Sequence, residues 1–346
     1  MKILWITEFF PASRRGEITG GVEARCFFVS KYLRQLDHKV EIIARPTSGA
    51  IWYPPTLETV PERLVFTIRA IFSALTTDFD IIEATNSATY PIACLVGMIK
   101  RKPIVYWYPD VFQGTWVKNF GLVGILGEIS DWIIFHLPAA KYIAISESTK
   151  NKLIAKGISE CKITIIYCGA EVPKFAISKK FDICVVSRLV DYKKIEDLIR
   201  VVPKKIKVVI IGQGPERPKL EKLSQGKNIS FFGHVASHKK VLEIIASSKI
   251  LCHPSIVEGF GIVIIEAAAL GIPFVARDIG VISEITHQGQ GGLLFKNDLA
   301  SAIKKLLTDD VLYKSKSQQA RELAKKYTWK KAARQTEKVY ENLFSY

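Results

Sequence analysis

Two carboxylates and two cations in the second half of the chain are spaced as a ligand grip would space them. Glu258 and Glu266 bracket the turn Gly259-Phe260-Gly261-Ile262, and Arg188 and Lys193 follow the apolar run Phe181–Val186. Gly259 and Gly261 carry no Cβ, so the backbone there can come close to a ligand. A helix starting near Gly261 aims unpaired N–H groups and the positive end of its dipole at that ligand, which suits an anion or a hydroxyl-rich group. Glu266 recurs on the helix face of Ile262 and Val263, an otherwise apolar face, so its charge is half-buried and needs a partner. A ribose diol supplies two donors. The other use of such residues is helix capping by Glu258 and a lysine pair for Glu266; two glutamates around Gly-Phe-Gly favour the ligand. Two cations at a strand end can stabilise a diphosphate while its bond breaks. Lys193 alone, in a lysine-rich chain, would equally be a solvated surface residue.

These residues need strand ends and helix starts to hold them. Lys249–Cys252 reads as a short buried strand, the glycine turn follows, and Ala267-Ala268-Ala269-Leu270 continues a helix that Gly271 and Pro273 stop. Earlier in this half, Val208–Ile211 ends in the tight turn Gly212-Gln213-Gly214, and Ile229–Phe232 ends in Gly233-His234-Val235. The first half begins in the same idiom. Strand Lys2–Thr7, a polar loop, Gly20-Gly21 at a helix start and strand Val40–Ala44 make a βαβ unit. Gly20 and Gly21 can present N–H groups to a phosphate, although G-x-G-x-x-G is absent. Two further strand ends carry Glu83, Thr85 and Asn86, and Asp110. The carboxyl ends of strands are where α/β sheets place ligands, so these four are candidates for a second substrate; capping and turn formation are the alternative.

The stretch from His253 to Glu266 resembles the signature of the retaining nucleotide-sugar glycosyltransferases of family 4, the group 1 enzymes of the GT-B class. That resemblance covers nearly the whole chain and is densest from Phe181 to Glu284. It implies an α/β protein of two Rossmann-like domains facing each other across a cleft. The expected division is 1–175, on the acceptor side, and 176–328, which binds the nucleotide sugar, with helix 329–346 packing back on the first domain. It implies that Glu258, with the backbone of Gly259, Phe260, Gly261 and Ile262, holds the donor sugar, and that Glu266 holds the ribose. Arg188 and Lys193 would grip the diphosphate, the chain at Val235 would read the base, and Gly20 and Gly21 would face the diphosphate from the other domain. Glu258, Arg188 and Lys193 are the catalytic candidates; Glu83, Thr85, Asn86 and Asp110 are the acceptor-side candidates. The sequence departs from the pattern in four places. Ser187 and Lys194 replace glycines, and the histidines that relatives carry near Thr85 and Asp110 are missing.

The implied function is transfer of a sugar from a nucleoside diphosphate sugar to a glycan or lipid-linked acceptor hydroxyl, with retained configuration. The nucleotide sugar is a substrate, so no cofactor is expected, and no metal-ligand cluster is evident. A nucleotide-sugar epimerase and a non-catalytic nucleotide-sugar binding protein are the rivals.

Composition bounds these expectations. A chain of 346 residues suits two α/β domains. Net charge is +16, with +4 in residues 1–175 and +12 in the rest, much of it between Lys304 and Lys338. Those cations are spread around helices without aromatic platforms, so solvated helix faces explain them and nucleic acid is not an expected partner. No apolar run is long enough to span a bilayer. The N-terminus reads as a strand rather than a signal peptide, and the six cysteines lack a CxxC pair. A cytoplasmic protein is expected, placed at the inner face of the membrane if its acceptor is a lipid. Phe112, Trp116, Val117, Phe120, Leu122 and Val123 form an apolar patch that fits an acceptor loop, a shallow membrane contact or plain core.

Overall fold

Consecutive rather than alternating apolar residues make the strands of this chain, because both faces of each sheet are covered. Ile104–Tyr108 and Val208–Ile211 are buried at every position. The computed structural model describes residues 1–11, 18, 20–45, 60–111, 124–175 and 178–344. The aromatic patch from Phe112 to Val123 lies outside the described residues. The chain divides into two compact units, Met1–Tyr167 with Trp329–Tyr346, and Cys168–Thr328. The division falls at 167/168 rather than 175/176.

In the first unit, β1 (Lys2–Thr7), β2 (Lys39–Ala44), β3 (Ile81–Ala84), β4 (Ile104–Tyr108), β5 (Lys141–Ala144) and β6 (Ile163–Ile165) form one sheet, ordered β2-β1-β3-β4-β5-β6. Every pairing is parallel. Strand order reverses between β1 and β3, and a parallel sheet opens a crevice at the carboxyl end of such a reversal. The helices are α1 (Gly21–Arg34), α2 (Val60–Thr76), α3 (Tyr90–Lys100), α4 (Gly124–Phe135) and α5 (Glu147–Ala155). Phe66, Val96, Ile134 and Leu153 of the last four share one core with Leu4, Ile82 and Tyr106 of the sheet.

In the second unit, β7 (Phe181–Val186), β8 (Val208–Ile211), β9 (Ile229–Gly233), β10 (Ser248–His253), β11 (Phe274–Arg277) and β12 (Gly292–Phe295) are again all parallel, ordered β12-β11-β10-β7-β8-β9. The reversal here lies between β7 and β10. The helices are α6 (Ile195–Val201), α7 (Arg217–Leu223), α8 (His238–Ala246), α9 (Ile262–Ala269), α10 (Gly280–Ile285), α11 (Leu299–Thr308) and α12 (Asp310–Ala324). Lys304 and Lys305 on α11, and Lys325 just after α12, stand exposed, as solvated cations do.

The last helix, α13 (Trp329–Glu341), belongs to the first unit and packs on α1. Trp329 stacks on Phe28 at 5.4 Å. The buried Tyr340 hydroxyl donates to Glu83 at 2.6 Å and accepts from Trp5 Nε1 at 3.0 Å. Among the described residues, no helix is long and apolar enough to cross a membrane.

Candidate active site

The reversal between β7 and β10 decides what meets in the second unit. The loop after β7 carries Arg188 and Lys193; the loop after β10 carries Glu258. The two loops are stitched by Ile256 N–H donating to Tyr192 O at 3.0 Å. A third segment braces the first loop from below. Gly212 and Gly214 follow β8, and a Cβ on either would stand about 2 Å from a backbone oxygen of the Arg188 loop, at 1.8 Å from Ser187 O and 2.0 Å from Leu189 O. Leu189 N–H donates to Gln213 O at 2.8 Å across that contact. The tight turn is therefore a packing requirement that fixes Arg188.

Glu258 stands at the centre. Its Oε1 accepts from Lys193 Nζ and from His253 Nε2, the latter at 2.6 Å. Both bonds fall on Oε1, which leaves Oε2 to meet a ligand hydroxyl. Burial alone would raise the pKa of this carboxyl, but the charges of Lys193 and His253 outweigh burial and hold it well below the usual carboxylate range. Glu258 is thus an anion at any working pH. Arg188 is exposed; its Nη2 donates to Tyr192 Oη at 2.5 Å, and Tyr192 lies between it and Lys193, whose Nζ is 5.5 Å from the ring centre. Lys193 has three N–H donors and spends one on Glu258. Arg188 and Lys193 outnumber the single carboxylate, so the cluster favours an anion.

The turn from Glu258 leads into α9. Gly261 caps it with φ +89°, and a Cβ there would reach within 2.9 Å of Ile282 Cδ1. The left-handed φ is what calls for glycine, since the Ile282 methyl ends a flexible side chain and can shift. Phe260 is buried and packs edge-on against Tyr327, and Gly259 and Ile262 are half-buried. Glu266 is buried rather than half-buried, and its Oε1 is bonded to His238 Nε2 at 2.7 Å. Its partner is a histidine, not the lysine the sequence offered as the plain alternative. Burial lowers the pKa of His238, but the hydrogen bond and charge of Glu266 outweigh it and raise it overall. Val235 is half-buried in the loop after β9.

Lys194 explains one departure of the sequence from pattern. It holds φ +48°, ψ +39°, the left-handed conformation that a glycine adopts without cost. The backbone geometry is kept although the glycine is not.

In the first unit, Gly20 caps α1 in extended backbone, and a Cβ there would meet nothing within 4 Å. Gly20 is exposed and Gly21 half-buried. Nothing within that unit requires glycine at 20. The acceptor-side candidates are mostly closed off. Glu83 is fully buried, and its two oxygens take Arg25 and Tyr340. Thr85 Oγ1 donates to Thr7 Oγ1 at 2.8 Å, and Asn86 Nδ2 donates to Glu8 Oε2 at 2.7 Å. Asp110 accepts from Lys152 Nζ at 2.6 Å and from Val111 N–H at 2.7 Å. Among the described residues, no three His, Cys, Asp or Glu side chains are grouped to hold a metal ion.

The sequence reading did not single out His253, His238 or Tyr192. The first has a local signal, a histidine closing a strand five residues before a glutamate. His238 and Tyr192 have none, because their partners are brought to them by the sheet.

Two family models match in tandem. Glycosyltransferase family 4 covers residues 19–172, and glycosyl transferases group 1 covers residues 170–327. The gpi3 subunit of phosphatidylinositol N-acetylglucosaminyltransferase from Schizosaccharomyces pombe is 25% identical over 97% of this chain and 79% of its own. Phosphatidyl-myo-inositol mannosyltransferase from Mycolicibacterium smegmatis is 24% identical over 94% of this chain and 91% of its own. Among solved structures, Anabaena HepE in complex with UDP and glucose superposes with a TM-score of 0.74 at 19% identity, covering 99% of this chain and 100% of that one. This last likeness concerns the fold.

Proposed function

This chain belongs to the group 1, family 4 glycosyltransferases and has their GT-B fold, and on that premise we propose that it moves a sugar from a nucleoside diphosphate sugar to a hydroxyl of a phosphate-bearing glycolipid, with the anomeric configuration retained. The observation that carries this reading is the Lys193–Glu258–His253 cluster at the strand reversal, beside Arg188 and the open tip of α9. In the reaction, the bond from the anomeric carbon to the diphosphate oxygen breaks and a bond to the acceptor oxygen forms. The acceptor proton passes to the departing phosphate, and a nucleoside diphosphate leaves. Arg188 and Lys193 stabilise the charge that grows on that phosphate, which is transition-state rather than ground-state stabilisation. Oε2 of Glu258 orients the sugar hydroxyls, and Glu266 holds the ribose. Two features support a lipid acceptor. The named relatives act on phosphatidylinositol lipids. In addition, Leu64, Ile68 and Phe72 recur at four-residue spacing on the outward side of α2 and are exposed, as are Leu95 and Met98 on α3 and Ile129 and Trp132 on α4. Exposed apolar side chains of this kind suit a lipid interface.

The test is incubation of the protein with a panel of nucleoside diphosphate sugars, with and without phosphatidylinositol, and analysis of products by NMR. Sugar on the lipid supports the reading. An isomerised donor without acceptor would make the protein an epimerase. Donor binding without any product would make it a binding protein.

A further inference from the structure

Beside the β1/β3 strand reversal of the first unit, at the carboxyl end of the neighbouring β2, stands a buried arginine without a hydrogen bond. Arg45 directly follows β2, and its side chain is 6% exposed. Its Nε has no hydrogen-bond partner, and no described residue accepts from its guanidinium. Two carboxylates lie at ion-pair distance without a hydrogen bond: Glu8 Oε1 at 3.8 Å from Nε and Glu62 Oε2 at 3.7 Å from Nη1, the latter on a side chain that is 73% exposed. Glu8 is fully buried, and it is already engaged elsewhere. Its Oε2 accepts from Asn86, and its Oε1 lies 3.2 Å from Arg63 Nε. That same Oε1 receives no hydrogen bond. A buried guanidinium with idle donors beside a carboxylate oxygen with no donor is costly unless a further group completes both. The place is where a parallel sheet takes ligands.

We propose that Arg45 binds the phosphate of the acceptor, and that Glu8 Oε1 accepts a hydroxyl of the alcohol esterified to it. A phosphate ester of a polyol answers both needs: its oxygens accept from the guanidinium fork, and its hydroxyls donate to Glu8. A simple carboxylate would answer only the first. The argument rests on the reading of this protein as a glycosyltransferase with a phosphate-bearing acceptor. It assigns that acceptor to Arg45, Glu8 and Asn86, and not to Glu83 or Asp110.

Calorimetric titration of the full chain with myo-inositol 1-phosphate, and with myo-inositol as control, tests the assignment. It is run in an Arg188→Ala background, so that binding at the diphosphate grip does not report. The expected result is binding of the phosphate ester, at least tenfold weaker binding of myo-inositol, and at least tenfold weaker binding of the ester after Arg45→Gln. Donor affinity of the single Arg45→Gln variant, with Arg188 intact, is expected to be unchanged. Should Arg45→Gln not fold, Arg45→Lys decides: a threefold or greater loss supports the site, and unchanged affinity overturns it. Unchanged affinity of folded Arg45→Gln also overturns it, as does loss of all ester binding on Arg188→Ala alone. Flotation with phosphatidylinositol or phosphatidylcholine vesicles separates the two sources. Retention on phosphatidylinositol that needs Arg45 identifies a lipid headgroup, and dependence on Arg45 only with the soluble ester identifies a free polyol phosphate. Absence of sugar transfer by the unaltered protein would sink the glycosyltransferase reading while leaving the phosphate result standing.

Discussion

Glu258 has two hydrogen-bond partners, Lys193 and His253, on one oxygen, and that fixes what it can do. A carboxylate held ionised in this way orients hydroxyls and balances charge; it does not shuttle protons near neutrality. Glu258→Gln keeps the shape and removes the charge that the Lys193 ammonium opposes. Loss of roughly a hundredfold or more in kcat is expected, the scale on which a preorganised electrostatic partner counts. The depressed pKa gives a stability contribution present above about pH 4.3, the ordinary carboxylate value, and lost only as pH falls through the lower folded value. His238 has the opposite sign. Its raised pKa contributes stability in full below about pH 6.5, and that contribution fades as pH rises through the folded value. Melting temperature measured from pH 6 to 9 is expected to fall by an increment that His238→Gln abolishes. Lys194→Gly relieves a left-handed residue of its Cβ and is expected to stabilise the fold by about 1 kcal/mol, seen as a higher midpoint in urea unfolding. Gly20→Ala meets no steric obstacle and is expected to cost only the small N-cap preference for glycine, so a tenfold or greater loss of donor affinity in the folded variant would report a ligand contact.

The chemistry was legible in the sequence at the level of elements, and the pairings were not. The strand ending at His253, the turn through Gly261 and the helix ending near Leu270 stand where glycine and proline placed them. Local signals suffice for such features, because cap and turn chemistry is decided within a few residues. That Lys193 and Glu258 meet is a property of strand order. They are 65 residues apart in the chain and join because β7 and β10 are neighbours at the reversal. Glu83 shows the converse. It sits at a strand end, as an acceptor residue would, and its two oxygens are held by Arg25 from α1 and Tyr340 from α13, neither near it in sequence. At this scale Gly212→Ala and Gly214→Ala are informative. Each drives a methyl group into backbone of the Arg188 loop, so donor affinity should fall at least tenfold although neither residue touches the ligand. Unaltered affinity would show that the turn does not set the position of Arg188. The exposed stripe on α2 belongs here too: Phe72→Ser is expected to weaken co-sedimentation with phosphatidylinositol vesicles while leaving stability unchanged, since Phe72 is 67% exposed.

Across the whole molecule, one design is used twice. Each unit is a parallel sheet with a reversal of strand order, and each reversal gathers charged side chains that a closed core would not tolerate. The chain also ends where it began: α13 returns to the first unit and is held through Trp329, Tyr340 and the buried Arg25–Glu83 pair. Trp329→Ala should cost about 3–5 kcal/mol, the range for emptying a buried aromatic site. The measurement that bears most directly on the central claim is the anomeric configuration of the product. With the accepted nucleoside diphosphate sugar and phosphatidylinositol, proton NMR of the glycolipid is predicted to show the configuration of the donor, in a reaction that Arg188→Ala and Glu258→Gln both suppress. A product of inverted configuration, or full turnover by either variant, would contradict the account.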